Sequence, residues 1–149
     1  MSRACVPCSA CCEALEVRAV ASPAWTRCEH QREDGCGIYE ARPEGCRPYR
    51  CLWLDGELAD DERPDLVGVI VDDGLTPAFK PLWGNDAVCV REIKTASATE
   101  PRAAALIKRL NDAGRAVFIK RPDGTTEPVG EALNEKARRI EQTLNRTSS

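Results

Sequence analysis

Apolar residues are arranged differently in the two parts of this chain. After residue 65 they fall into short periodic blocks; before it they are sparse and interleaved with cysteine, glycine and proline. Leu66-Val67-Gly68-Val69-Ile70-Val71 is short, β-branched and ended by Asp72-Asp73-Gly74, which predicts a strand, and Ala87 to Ile93 predicts a second. Ala103, Leu106, Ile107 and Leu110 form an i, i+3, i+4, i+7 stripe that predicts a helix. Ser97 or Thr99 is placed to cap its start, Pro101 suits its first turn and Gly114 closes it. Arg115 to Lys120 and Thr125 to Val129 flank Pro122-Asp123-Gly124, the pattern of a hairpin. A last helix is expected over Glu131 to Leu144, with Leu133, Ala137, Ile140 and Leu144 on one stripe.

These blocks define a fold class, α+β. Residues 55–149 are expected to form a small unit of three to five strands and two helices. An irregular, cysteine-rich, metal-bound lobe, residues 1–54, packs on it so that the two make one domain. Between them runs an acidic connector, Asp55 to Asp65, broken by Gly56 and Pro64. Nothing in the second unit carries recognisable chemistry.

Composition narrows the setting. The longest apolar runs, such as Leu66 to Val71, fall far short of the ~20 residues a membrane-spanning helix needs, so no membrane association is expected. Met1-Ser2-Arg3-Ala4-Cys5 offers no apolar stretch for a signal peptide. The expected compartment is therefore the cytoplasm, where closely spaced cysteines serve as metal ligands more often than as disulfides. Charge argues against nucleic acid as a partner. Residues 1–54 hold 7 basic and 7 acidic side chains, residues 55–99 hold 4 and 10, and residues 100–149 hold 10 and 7, so no segment carries a strong positive excess.

The chemistry is concentrated in the first third. Of 9 cysteines, all but Cys89 lie there: Cys5, Cys8, Cys11, Cys12, Cys28, Cys36, Cys46 and Cys51. Cys5-x2-Cys8-x2-Cys11 packs three thiols into one tight loop or helical turn, the spacing that also begins the bacterial ferredoxin ligand run. Cys11 and Cys12 are neighbours and diverge on either a helix or a strand, which favours two nearby sites or one site plus a reserved thiol. Gly35-Cys36-Gly37 and Pro43-Glu44-Gly45-Cys46 are turns that bring backbone close to a sulfur. Clustered thiolates need counter-cations, and Arg3, Arg42, Arg47 and Arg50 lie within a few positions of Cys5, Cys46 and Cys51. The large apolar side chains of this third, among them Val17, Trp25, Ile38, Tyr39, Leu52 and Trp53, are too few to hold it folded unaided. A structural zinc site contributes roughly 10–16 kcal/mol, which is the kind of cross-link the lobe requires.

The ordered pattern resembles a known family. Cys5-x2-Cys8-x2-Cys11-Cys12, then Cys28, then Asp34-Gly35-Cys36-Gly37-Ile38-Tyr39-Glu40-Ala41-Arg42-Pro43, then Cys46-Arg47-x2-Arg50-Cys51, is similar to the zinc- or iron-chelating cysteine-cluster family. Its hallmark is CxxCxxCC followed by CxIYExRPxxCR. The match covers residues 5–54, with Ser9-Ala10 standing where many members carry a glycine. The resemblance implies a zinc or iron–sulfur site built from the eight cysteines. A related cluster occurs in flagellin lysine N-methylases, which links the pattern to methyl transfer.

Three functions follow from these residues. The first is a metal-binding protein holding zinc or an iron–sulfur cluster, with the Cys5–Cys11 spacing tilting slightly to iron–sulfur and an unknown protein partner allowed. The second is an enzyme or enzyme subunit using the cluster in redox or methyl-transfer chemistry. The third is a thiol switch that exploits Cys11 and Cys12. A binding role is favoured over catalysis, because a nucleophilic cysteine normally needs a base beside it and His30 is the only histidine. His30 itself reads as a solvated loop residue and Cys89 as a plain buried thiol. Trp25, Trp53 and Tyr39 read as packing around the site.

Overall fold

A computed structural model describes residues 8, 10, 11, 25, 28–32, 35–37, 41, 50–74 and 77–147. Within them the chain is α+β, as its periodicity predicts. A two-stranded antiparallel hairpin, β1 (Gln31–Arg32) and β2 (Gly35–Cys36), lies in the cysteine-rich third. A four-stranded mixed sheet follows, built in spatial order from β3 (Val69–Asp72), β4 (Val88–Glu92), β5 (Val117–Lys120) and β6 (Thr126–Pro128).

Among the described residues, the α-helices with defined bounds are two of one turn or little more, α1 (Pro64–Val67) and α2 (Phe79–Trp83), and two long ones, α3 (Pro101–Asp112) and α4 (Glu131–Thr147). Pairing is antiparallel between β3 and β4, parallel between β4 and β5, and antiparallel between β5 and β6. The parallel step needs a crossover, and α3 supplies it.

The pleat sorts the strand residues onto two faces. Val69, Val71, Val88, Val90 and Val117 form one core with Ala103, Leu106, Ile107 and Leu110 of α3. Leu52, Trp53, Leu54 and Leu58 belong to this core too. The Leu52 N–H donates to the Val71 carbonyl at 2.8 Å, so the segment after Cys51 lies along the outer edge of β3.

The opposite face carries Ile70, Asp72, Cys89, Arg91 and Phe118. Arg91 donates from Nε to Asp72 Oδ2 at 2.6 Å and from Nη2 to Oδ1 at 3.3 Å, with only 6% and 3% of the two side chains exposed. Phe118 packs against Phe79 and Trp83 of α2, at ring-centroid distances of 5.5 and 4.7 Å. Lys136 of α4 sits 5.6 Å from the centre of the Trp83 ring. Cys89 is buried, in keeping with its reading as a core thiol.

The structure departs from the sequence expectation at three places. The strand expected from Leu66 begins only at Val69, because Pro64 opens a turn of helix and Gly68, at φ +86°, ends it. Neither Ser97 nor Thr99 caps α3. Both are consumed by a 3-10 turn, Ser97–Thr99, and Glu100 takes the cap position without a side-chain cap bond. Helix α2 carries Pro81 in its middle and has too few residues to show a period. Among the described residues no helix is long and apolar enough to cross a membrane.

Candidate functional site

Cys8, Cys11 and Cys51 line one small cavity of about 30 Å³, together with Ala10, Trp53, Leu54, Pro64 and Ile70. Some 40 residues of chain separate the first two cysteines from the third, so this is a tertiary meeting and not a product of local spacing alone. Three physical causes bring it about. Ala10 and Cys11 are helical, and Ala10 is buried against Ile70 on the sheet face opposite α3. Cys51 is carried to the same place by the strand-edge pairing of Leu52. Trp25 packs on this cluster with Ile93, and its indole N–H donates to the Glu92 carbonyl at 2.6 Å. Trp25 and Trp53 thus have the packing role the sequence suggested.

Burial pushes the Cys8 thiol up to about 11, while the backbone N–H groups of Ala10 and Asp65 act on the sulfur in the opposite direction. At neutral pH the metal-free thiol is therefore protonated; a bound dication would reverse that preference and favour thiolate. The Cys8 thiol also interacts with the Asp65 side chain, whose carboxyl is held low first by its hydrogen bonds from Arg63. Arg63 grips it from Nε to Oδ1 at 2.5 Å and from Nη2 to Oδ2 at 2.8 Å.

Cys28 and Cys36 bracket the hairpin. Cys28 is buried, and its carbonyl accepts the Gln31 N–H at 3.0 Å; Cys36 pairs with Gln31 across the ladder. A side chain at position 37 would be tightly confined, since a Cβ there would lie 3.0 Å from the His30 carbonyl oxygen that accepts the Gly37 N–H. Gly35 and Cys36 are themselves strand residues, so the bend expected over Gly35-Cys36-Gly37 falls only at Gly37. His30 is half-buried, with Nε2 3.4 Å from Glu29. Arg50, expected to offset thiolate charge, hydrogen-bonds Asp55 and the Leu54 carbonyl.

Cys5, Cys12 and Cys46 lie outside the described residues, as do Arg3, Arg42, Arg47 and Tyr39. Among the described residues, no group of three or more His, Cys, Asp or Glu side chains is set closely enough to hold a metal ion. Sharing a cavity wall is thus a looser relation than ligation. The donor chemistry nevertheless fits a thiophilic metal: soft sulfur ligands, an apolar wall and backbone N–H groups at a sulfur.

Sequence reasoning read Arg63 and Asp65 only as part of an acidic connector, and missed Ile70, Pro64 and Leu54 as cavity wall. Only the Pro64 breaker marks the place where the connector turns back on the cysteines. No family model, no curated protein and no solved structure matches this chain.

Proposed function

We propose that this protein holds zinc or an iron–sulfur cluster through its N-terminal cysteines, and that the centre cross-links the cysteine-rich third to the sheet. The observation that carries the reading is the meeting of Cys8, Cys11 and Cys51 around one cavity on Ile70. The remaining ligands would come from Cys5, Cys12, Cys28, Cys36 and Cys46, whose ordered spacing resembles the cysteine-cluster family. A bound zinc would supply structural cross-linking; a cluster would add electron transfer. The chain's own part is to gather the sulfurs, keep water from Cys8 and Cys51 with Trp53, Leu54 and Ile70, and present N–H groups to sulfur.

The test is anaerobic purification followed by metal and acid-labile sulfide analysis and a visible spectrum. Stoichiometric zinc, or iron with sulfide and a broad visible absorption, is the expected outcome. Cys51→Ser is expected to lose at least one metal equivalent, or the cluster. Wild-type protein that carries and takes up neither metal would contradict the reading.

A further inference from the structure

Trp25 stands in the left-handed region, at φ +55°. A bulky residue there is a backbone outlier, and such a conformation persists only where its surroundings fix it. Packing and a hydrogen bond fix this one. The ring lies with Ile93, Cys8, Cys11 and Cys51 on the Ala10–Ile70 cluster, and the indole N–H reaches 67 positions along the chain to the Glu92 carbonyl at 2.6 Å. Resting on the metal-binding reading for what is held, we infer that Trp25 is a strained clasp. It shuts the cysteine-rich third onto the end of β4, and the site opens there for metal to enter and leave.

The two sides of the clasp are unequal. Glu92 is buried as the last residue of β4, paired with Val69 across the sheet, and its carboxylate accepts the Ala98 N–H at 2.9 Å. The ladder of β4 with β5 ends one residue earlier, at Arg91 and Lys120, so the Glu92 carbonyl is left to a donor from outside the sheet. This catch is rigid and belongs to the sheet unit. Trp25 is only half-buried and belongs to the third of the chain with little apolar surface. Opening frees the ring and relaxes the backbone strain together, and it breaks no bond of the sheet ladder. Contacts of this kind open locally while the rest of a molecule stays folded. The clasp therefore sets how often the sulfurs meet solvent, not whether the sheet survives.

The test uses the full chain as purified, reduced and without oxygen. Wild type is compared with Trp25→Phe, which keeps an aromatic ring and loses the indole donor. Trp83→Phe is the control, the same exchange at a ring packed on Phe118 at 4.7 Å. Iodoacetamide labelling read by mass spectrometry gives the exposure rate of Cys8, Cys11 and Cys51, and an excess of chelator gives the rate of metal release. Both rates are expected to rise by about 3–10-fold in Trp25→Phe, the factor that one net hydrogen bond sets on such an equilibrium. The urea midpoint of the sheet unit is expected to stay at its wild-type value. Trp83→Phe is expected to keep wild-type labelling and release.

If Trp25→Phe does not fold by circular dichroism, wild type decides through the Trp25 indole proton, followed by NMR and assigned by elimination with Trp53→Phe and Trp83→Phe. It is expected to be protected from exchange, yet to exchange at least as fast as metal leaves. An unprotected proton, or one that exchanges more slowly than metal is released, would overturn the clasp. So would equal labelling and release in folded Trp25→Phe and wild type, or an equal rise in Trp83→Phe, while the metal-binding reading itself would stand. Wild type that carries and takes up neither zinc nor iron would overturn both, which separates the two failures.

Discussion

Ser97 is fully buried, and its hydroxyl has no hydrogen-bond partner among the described residues. A buried hydroxyl without a partner forfeits its hydration, at a cost of about 1–3 kcal/mol. The residue stands close to Gly68, where an added Cβ would lie 3.4 Å from the Ser97 Cβ, so little room is left there for a larger side chain. Had Ser97 capped α3, replacing it with alanine would cost about 1 kcal/mol. The observed geometry predicts the opposite sign: Ser97→Ala is neutral or stabilising, read as an unchanged or raised midpoint in urea unfolding. A clear loss of stability would restore the capping role.

At the scale of elements, α3 was legible because three independent signals agreed: the apolar stripe, Pro101 at its start and Gly114 past its end. The hairpin of β5 and β6 was legible for the same kind of reason, with Pro122-Asp123-Gly124 between two β-rich blocks. What pattern could not show was how the acidic connector would be used. The 3-10 turn Asp60–Glu62 is tied to α3 by Arg109, which hydrogen-bonds both Glu62 carboxylate oxygens. Such a pairing joins residues 47 positions apart and has no sequence period.

The Arg109 hydrogen bonds are also the main reason the Glu62 carboxyl is held below its ordinary value of 4.5. A carboxyl whose pKa is lower in the folded state contributes stability fully above its unfolded value and loses it as pH falls. Unfolding titrations between about pH 6 and pH 3 are therefore expected to show a shallower acid loss for Glu62→Gln than for wild type. Identical acid limbs would mean that the pair adds nothing, as exposed ion pairs sometimes do.

For the whole molecule, the question is how a cysteine-rich third with little apolar surface keeps its place. Ordinary contacts are visible among the described residues. Ala10 and Trp25 pack on Ile70 and Ile93, and the Trp25 indole donates to the Glu92 carbonyl. Against them stands a sheet unit whose core of Val69, Val71, Val88, Val90 and Val117 under α3 also takes in Leu52, Trp53 and Leu54, with Cys51 packed against it. The asymmetry was readable from the sequence, since apolar periodicity begins only after residue 65. The grouping of the thiols was not, because spacing along a chain does not fix which sulfurs meet across it; Cys8 and Cys51 meet through the edge pairing of Leu52 with Val71.

The account accordingly predicts two stabilities in one chain. The most direct measurement is hydrogen exchange on fully reduced protein before and after a chelator strips it. Protection is expected to fall sharply over residues 1–50 and to persist in β3, β4, β5 and α3. Protection of residues 1–50 that survives complete metal removal would contradict the claim that sulfur-bound metal is what holds them.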